Sequence, residues 1–256
     1  MTQKKLTKSS KTALITGGAK RIGKEIAIKL AEIGYNIVIS YKQSELESQE
    51  LANFLKKKYQ IKVFTFKADL FKNKDAEKLA KYMIDNFSDW SLLINNASIF
   101  EKSNFFQIAE NFEKNFAVHF SSPLILINKF AEYINSNKNI SNPQVINMLD
   151  KNIERFETKY FYYLLTKKFL AQSIKMIALQ VAPRVRINGI ALGYFLANEY
   201  DLETKEYVKN LQKKIPMQRI GNIENITLAL EFLIENKFIT GEILTIDGGA
   251  SLNDAG

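Results

Sequence analysis

The chain has 256 residues, 46% of them hydrophobic and 25% charged, which is typical of an ordinary globular protein with one large core. Cysteine is absent and histidine occurs once, which excludes disulfides, thiolate chemistry and a multi-histidine metal site. The net charge of +9 comes mostly from 31 lysines scattered along the chain, so we expect solvated surfaces and an attraction for anionic ligands, but no nucleic-acid partner.

Neither the apolar runs nor the N-terminus indicates a membrane protein. No apolar run approaches the ~18–20 residues that span a bilayer, and the basic N-terminus lacks the apolar core of a secretory signal. We therefore expect a short disordered lead over residues 1–10, a cytoplasmic location and no membrane partner.

Short β-branched or apolar runs alternate with longer stretches of helical periodicity. The short runs predict strands at residues 12–16, 36–41, 62–68, 91–96, 144–149, 185–191 and 242–247. The longer stretches predict helices at residues 22–33, 44–58, 73–87, 106–135, 155–181 and 222–235. The alternation predicts a single α/β domain over residues 11–256, a doubly wound Rossmann fold with a seven-stranded parallel sheet and helices on both faces.

One long polar segment, residues 194–220, interrupts this alternation. It follows the carboxyl end of a predicted strand, where ligands bind in sheets of this kind. We therefore expect it to form a lid over a binding site.

The segment TGGAKRIG joins the first predicted strand to the first helix. Gly17 can take a tight turn there, and Gly23 lets the helix pack closely on the sheet. The free N–H groups at the start of the helix are placed to bind a pyrophosphate. Arg21 stands where such turns usually need a further glycine.

The end of the second predicted strand bears on the choice of cofactor. Folds that bind NAD tend to carry an acid there for the ribose hydroxyls, whereas this chain has Tyr41, Lys42, Gln43 and Ser44. Lys42 and Ser44 can hold a 2′-phosphate, so the sequence favours NADPH. The alternative is that Lys42 is simply a solvated loop lysine.

Four segments together resemble the short-chain dehydrogenase/reductase family. TGGAKRIG is similar to its glycine-rich turn except at Arg21, Asp69–Leu70 to its adenine contact, NNAS (residues 95–98) to its NNAG segment, and TGEILTIDGG (residues 240–249) to its last strand. The matched features run from about residue 11 to residue 252. The resemblance implies these cofactor-binding residues: Gly17, Lys20, Arg21, Ile22, Gly23, Tyr41, Lys42, Ser44, Asp69, Leu70, Asn96, Ala97 and Ser98.

The family's proton donor is a Tyr-x-x-x-Lys pair, which the resemblance assigns to Tyr163 and Lys167. Tyr163 alone among the 11 tyrosines has a lysine four residues later, and this spacing places both side chains on one helical face. The lysine is expected to lower the pKa of the phenol and to hold the nicotinamide ribose, while the phenol passes a proton to the substrate.

Asp150 stands where the family has its catalytic serine. Taken alone, it indicates an inactive enzyme or a loop cap. Together with Arg21 and with Phe100 after NNAS, it resembles the family's pteridine reductase branch, in which an aromatic ring sandwiches a pterin against the nicotinamide. The resemblance implies the catalytic set Asp150, Tyr163 and Lys167 and the substrate-binding set Arg21, Ser98, Phe100 and Tyr194, with no metal. Asp150 is expected to relay protons through Tyr163.

The implied activity is NADPH-dependent reduction of a C=N bond in a dihydropterin such as dihydromonapterin or dihydrobiopterin, with dihydrofolate as a further candidate substrate. Two alternatives stay open: a carbonyl reductase of the same family, acting for example on a 3-oxoacyl thioester, and a non-catalytic NADPH-binding sensor. The family also implies a homotetramer, to which the apolar Phe161, Leu164, Phe169 and Ile174 of the fifth helix would contribute. His119 aligns with the family's usual asparagine, and its role stays open.

Overall fold

Seven strands form the sheet that organises the computed structural model, which describes residues 11–195 and 205–253. They are β1 Thr12–Thr16, β2 Asn36–Tyr41, β3 Val63–Lys67, β4 Trp90–Asn95, β5 Gln144–Asp150, β6 Arg186–Leu192 and β7 Ile243–Ile246. Each lies within one residue of its predicted bounds at either end. The predicted lead (1–10) and residues 196–204 of the predicted lid lie outside the described residues.

All neighbouring strands pair in parallel, in the order β3-β2-β1-β4-β5-β6-β7. The order reverses between β1 and β4, so the crevice at their carboxyl ends is the place where ligands bind in such sheets. The predicted fold class is therefore confirmed.

Helices cover both faces of this sheet. They are α1 Arg21–Glu32, α2 Glu45–Tyr59, α3 Asn73–Asn86, α4 Ile108–Phe116, α5 Ser122–Ser136, α6 Phe161–Val181, α7 Lys205–Lys213 and α8 Ile223–Glu235. One buried cluster packs α3, α5 and α6 on one face, and a second packs α1, α2 and α8 on the other. Successive strand residues serve opposite clusters, as Leu14 and Ile15 do, because side chains alternate along a strand. Both faces of the sheet are therefore buried, which accounts for the apolar strand runs.

The predicted single helix over 106–135 is wrong in detail. Helix α4 ends at Phe116, a π-helical turn covers Ala117–Ser121, and α5 follows. Pro123, in the first turn of α5, has no N–H to donate to the carbonyl of residue 119, so regular α-helical bonding cannot run through this point. The irregular turn contains His119.

The predicted helix over 155–181 begins later than expected, at Phe161. The backbone before it is held by another segment: Ser103 N–H donates to Lys159 O, and Phe161 N–H donates to Ser103 O. These bonds hold residues 159–161 beside the loop that follows β4, and Lys159 O is paired with Ser103 N–H rather than with a later N–H of a helix. The helix that carries Tyr163 and Lys167 is thereby fixed to that loop.

The described part of the predicted lid contains α7 and the turns that follow it. Within the described ranges, no helix has the length and apolar character needed to cross a membrane.

Candidate active site

The turn after β1 contains two glycines at which any side chain would force neighbouring atoms to move. Gly17 has φ +62°, and a Cβ on it would lie 2.9 Å from Ala97 Cα. A Cβ on Gly23 would lie 2.3 Å from Gly17 O. The turn therefore packs directly against the first turn of α1, and the start of a helix offers backbone N–H groups of the kind that bind a pyrophosphate.

Arg21 has a backbone conformation that favours glycine. Its φ is +49°, in the left-handed region that costs a non-glycine residue about 1–2 kcal/mol. A bulky residue is thus held in a strained conformation at the edge of the crevice, and such strain is commonly found at functional sites.

A cleft of about 460 Å³ lies at the carboxyl ends of β1, β2 and β4. Twelve of the predicted cofactor residues line it: Gly17, Lys20, Arg21, Ile22, Gly23, Tyr41, Lys42, Asp69, Leu70, Asn96, Ala97 and Ser98. Ser44 is not among its lining residues and instead precedes α2 as its N-cap. The size of the cleft and the glycine cradle fit a dinucleotide, with α1 at its phosphate end.

Lys42, the predicted 2′-phosphate ligand, has acidic and aromatic partners in this structure. Its Nζ lies 3.2 Å from Asp69 Oδ1 and 3.6 Å from the centroid of the Phe71 ring. Both partners line the same cleft. The ammonium therefore lines the cleft while paired with a carboxylate.

Hydrogen bonds join the carboxyl ends of β1 and β4 beside this cleft. Thr16 Oγ1 accepts hydrogen bonds from Asn96 N–H (2.9 Å) and Ala97 N–H (3.0 Å). The Asn96 side chain in turn donates to Thr16 O and Gly17 O. The start of the NNAS segment is thus fixed against the phosphate turn.

Asp150 and Tyr163 meet at the end of β5. The Tyr163 hydroxyl donates a hydrogen bond of 3.0 Å to Asp150 Oδ2, while Asp150 Oδ1 accepts from Asn152 N–H at 2.8 Å. The carboxylate therefore caps the 3₁₀ turn that follows β5 and also contacts the phenol. It borders a second cleft of about 560 Å³, which Phe100 and Tyr194 also line.

Burial and the Asp150 charge raise the pKa of Tyr163 well above its usual value. This is opposite to the expected lowering by Lys167, because in this structure the phenol faces a carboxylate in a nearly dry site. Lys167 Nζ instead donates to Met148 O at 2.7 Å, 5.9 Å from the centroid of the Tyr163 ring. Burial lowers the pKa of this lysine to about 8.

Phe100 presents an open aromatic face where the two clefts meet. It lines both clefts and is 62% exposed. Its ring stacks on Tyr160 with centroids 4.3 Å apart and meets the Tyr163 ring edge-on at 4.9 Å. Both tyrosines thereby fix its orientation beside the phenol, and a flat heterocycle could stack on the remaining face.

Tyr194 lines the second cleft beside Lys151. Lys151 Nζ sits 4.8 Å from the centroid of its ring, and burial raises the pKa of the Tyr194 hydroxyl. Burial also lowers the pKa of Lys151. Of these two clefts, the predicted substrate residues Ser98 and Arg21 line the first and not the second, so the structure divides that set between two adjoining spaces.

Sequence reasoning missed several lining residues. Phe71 and Phe195 line the first cleft, and Tyr160, Lys151 and Phe195 line the second. Tyr160 left no periodic signal because it precedes the helix. Phe71 directly follows Asp69–Leu70, and a search for aromatic residues beside that pair would have found it.

A family model described as Enoyl-(Acyl carrier protein) reductase matches residues 17–251. The chain belongs to the short-chain dehydrogenase/reductase family. An L-rhamnose 1-dehydrogenase (NADP(+)) of Thermoplasma acidophilum is 29% identical over 95% of this chain and 97% of the relative. The 3-oxoacyl-[acyl-carrier-protein] reductase FabG of Staphylococcus aureus is 25% identical over 94% of this chain and 98% of the relative.

Two solved structures of this family share the fold over almost the whole chain. FolM Alternative dihydrofolate reductase 1 of Brucella canis, complexed with NADP, superposes with a TM-score of 0.84 at 29% identity, covering 94% of each chain. The Brucella suis protein of the same name, also with NADP, has a TM-score of 0.85 at 30% identity, covering 94% of this chain and 95% of that one. The protein is thus an oxidoreductase of the family.

Proposed function

We propose that this protein is an NADPH-dependent pteridine reductase that reduces the C=N bond of a dihydropterin. The observation that carries the proposal is the 3.0 Å hydrogen bond from Tyr163 to Asp150, beside the open face of Phe100. A carboxylate replaces the family's serine at the reacting end of the site, and an aromatic platform adjoins it. The likeness to the Brucella alternative dihydrofolate reductases supports this choice of substrate class.

NADPH is the cofactor, as the NADP-bound neighbours and the NADP-dependent relative support. When bound, it supplies the hydride. The turn at Gly17 and Gly23 and the start of α1 would hold its pyrophosphate, and Lys42 its 2′-phosphate. Lys167, which is 4% exposed, would hold the nicotinamide ribose. The Arg21 guanidinium would bridge a phosphate and the polar edge of the pterin with its planar fork.

In this proposal the phenol of Tyr163 delivers the proton. Its raised pKa keeps it protonated at neutral pH, which suits a group that must give up a proton to an imine nitrogen. Asp150 accepts the phenol's hydrogen bond and borders the second cleft, so it can return a proton from water to the phenolate. Phe100 orients the ring for this transfer by stacking on it.

A carbonyl reductase is the second candidate, since the FabG and rhamnose dehydrogenase relatives favour it. Against it stands Asp150, because a serine hydroxyl can donate to a carbonyl oxygen and an ionised carboxylate cannot. A non-catalytic NADPH-binding sensor would keep the first cleft but would turn over neither class of substrate.

We also propose a homotetramer. Leu164 and Ile174, two of the residues expected at an interface, are instead buried in the chain's own core. Helix α6 nevertheless exposes Met176 (70%) and Leu179 (85%), an apolar surface that a second copy would cover. Light scattering should give the mass of four chains, and Leu179→Lys should reduce it; a wild-type mass of one chain would contradict this part of the proposal.

The activity is tested by following NADPH consumption with 7,8-dihydrobiopterin, dihydromonapterin, dihydrofolate and a set of ketones that includes a 3-oxoacyl thioester. Wild-type protein should turn over a dihydropterin, and Tyr163→Phe, which keeps the ring and removes the hydroxyl, should lose at least about a hundredfold in kcat. Ketone turnover alone would favour the carbonyl reductase, and NADPH binding without any turnover would favour the sensor.

A further inference from the structure

The single histidine connects two elements of the site and has no part in the mechanism above. His119 is 1% exposed and lies in the π-helical turn between α4 and α5. Its Nε2 lies 2.9 Å from Ser98 Oγ and accepts a hydrogen bond of 3.2 Å from Ile99 N–H. Its Nδ1 lies 3.1 Å from Thr166 Oγ1. The imidazole thus spans from the loop after β4 to the catalytic helix α6.

The hydrogen-bond partners determine which nitrogen carries the proton. The N–H of Ile99 can only donate, so Nε2 must be the unprotonated nitrogen and Nδ1 must carry the hydrogen. Nδ1–H then donates to Thr166 Oγ1, whose own hydroxyl hydrogen is directed to the carbonyl of Tyr162 (2.9 Å) or Tyr163 (3.0 Å). The bond that Nε2 accepts from Ile99 N–H requires a neutral ring, because both nitrogens of a protonated imidazole are donors. Burial and the charge of Lys167 lower the pKa of His119 well below its usual value and keep the ring neutral.

The loop that His119 holds carries the substrate platform. Its start is fixed to β1 through Thr16, and its later part pairs with residues 159–161 through Ser103. His119 holds the middle, at Ser98 and Ile99, immediately before Phe100. Phe100 must lie a fixed distance from Tyr163 for a substrate to stack on one ring and receive a proton from the other.

We propose that His119 is a positioning residue, which ties the loop bearing Ser98 and Phe100 to helix α6 and so sets the position of the stacking platform relative to Tyr163. It acts through the loop, without touching the reacting atoms. Its ring also meets the Tyr163 ring edge-on at 5.2 Å, so a packing role must be separated from the hydrogen-bonding one.

Two substitutions make this separation. His119→Phe keeps a ring of similar size and removes all three hydrogen bonds. His119→Gln removes the ring but places an amide oxygen where it can accept from Ile99 N–H. If hydrogen bonding positions the loop, Phe should raise the KM for 7,8-dihydrobiopterin about tenfold with kcat changed less than threefold, and Gln should restore KM to within about threefold of wild type.

Two substitutions at Thr166 test the same hydrogen bonding if the histidine variants fail to fold. Thr166→Val leaves the buried Nδ1–H without an acceptor, whereas Thr166→Ser keeps the hydroxyl. Thr166→Val should raise the KM for the dihydropterin severalfold, whereas Thr166→Ser should keep it near the wild-type value. Equal impairment by Phe and Gln at position 119, or by Val and Ser at position 166, would show that packing alone matters and would overturn the proposal.

The kinetic measurement rests on the proposed pterin reduction, so a second measurement is independent of it. Hydrogen exchange of the Ile99 amide, followed by NMR on the NADPH-bound protein, reports the tether directly. Exchange should be at least about tenfold faster in His119→Phe than in wild type and close to wild type in His119→Gln. Unchanged exchange in His119→Phe would overturn the tether whether or not any pterin is reduced.

Discussion

The hydroxyl of Tyr163 donates to Asp150 Oδ2 across 3.0 Å, so the proton donor that we propose is paired with a carboxylate. The same carboxylate borders the second cleft, which Phe100 and Tyr194 also line. Burial and this charge raise the pKa of the phenol, whereas a neighbouring ammonium alone would lower it. The raised pKa keeps the proton on the phenol at neutral pH, and in the proposed reaction Asp150 would replace it from the cleft.

Phe100→Ala should weaken pterin binding. Removing the exposed ring takes away the stacking surface, and base–aromatic stacking contributes about 1–3 kcal/mol, so KM for the dihydropterin should rise about tenfold to a hundredfold. The dissociation constant of NADPH, measured by fluorescence, should change far less. Phe106→Ala is the matched control, because that ring is 91% exposed and borders neither cleft. Equal effects of the two substitutions would contradict a stacking role.

Lys42→Ala should reduce the preference for NADPH over NADH. A charge-assisted bond to phosphate contributes about 1.5–3 kcal/mol, so the dissociation constant of NADPH should rise at least about tenfold while that of NADH stays nearly constant. Lys67→Ala removes the same charge from the paired end of β3, outside the cleft lining. If both variants weaken NADPH alike, the effect is one of net charge rather than of a contact.

The affinity for NADPH should fall as the pH rises through about 8. Burial lowers the pKa of Lys167 to about 8, so its ammonium is fully charged below that pH and loses its proton above it. A hydrogen bond from a charged donor exceeds one from a neutral donor by about 1 kcal/mol, which corresponds to about fivefold in affinity. Titrating NADPH binding between pH 6.5 and 9.5 tests this. Lys167→Met should bind NADPH more weakly than wild type, and its affinity should not change near pH 8. If the affinity of this variant still falls near pH 8, another group causes the change.

Stability should fall as the pH drops below about 6.5. His119 stays neutral in the folded chain, whereas in the unfolded chain it binds a proton below its ordinary pKa of about 6.5. The unfolded state therefore binds more protons, and the free energy of unfolding decreases with falling pH by at most about 1.4 kcal/mol per pH unit from this group. Urea unfolding of wild type and His119→Gln at pH 7 and pH 5 measures the difference. An equal loss in both proteins would mean that His119 does not titrate in this way.

The fold was predictable because the five inner strands are buried almost throughout, and burial on both faces leaves an apolar run between the helical patterns. The irregular turn at His119 was less evident, although Pro123 signals it by lacking an N–H. The start of α6 could not be predicted, since it depends on pairing between Ser103 and residues 159–161, which are distant in sequence.

The lining of the first cleft was largely predictable, because its residues follow strands whose carboxyl ends meet at one edge of the sheet. Ser44 does not line this cleft, since it directly precedes α2, and its contact with a 2′-phosphate stays a prediction. The direction of the pKa shift of Tyr163 was wrong. Sequence spacing pairs the tyrosine with Lys167, but the folded chain places the Asp150 carboxylate at its hydroxyl and lowers the dielectric around both.

The most direct test of the Asp150–Tyr163 pair compares kcat/KM for 7,8-dihydrobiopterin with that for a 3-oxoacyl thioester, in wild type and in Asp150→Ser. If the carboxylate adapts this site to a C=N bond, wild type should favour the pterin, and the serine variant should lose at least about a hundredfold toward the pterin while gaining relative to it toward the thioester. An unchanged ratio between the two substrates would contradict the account.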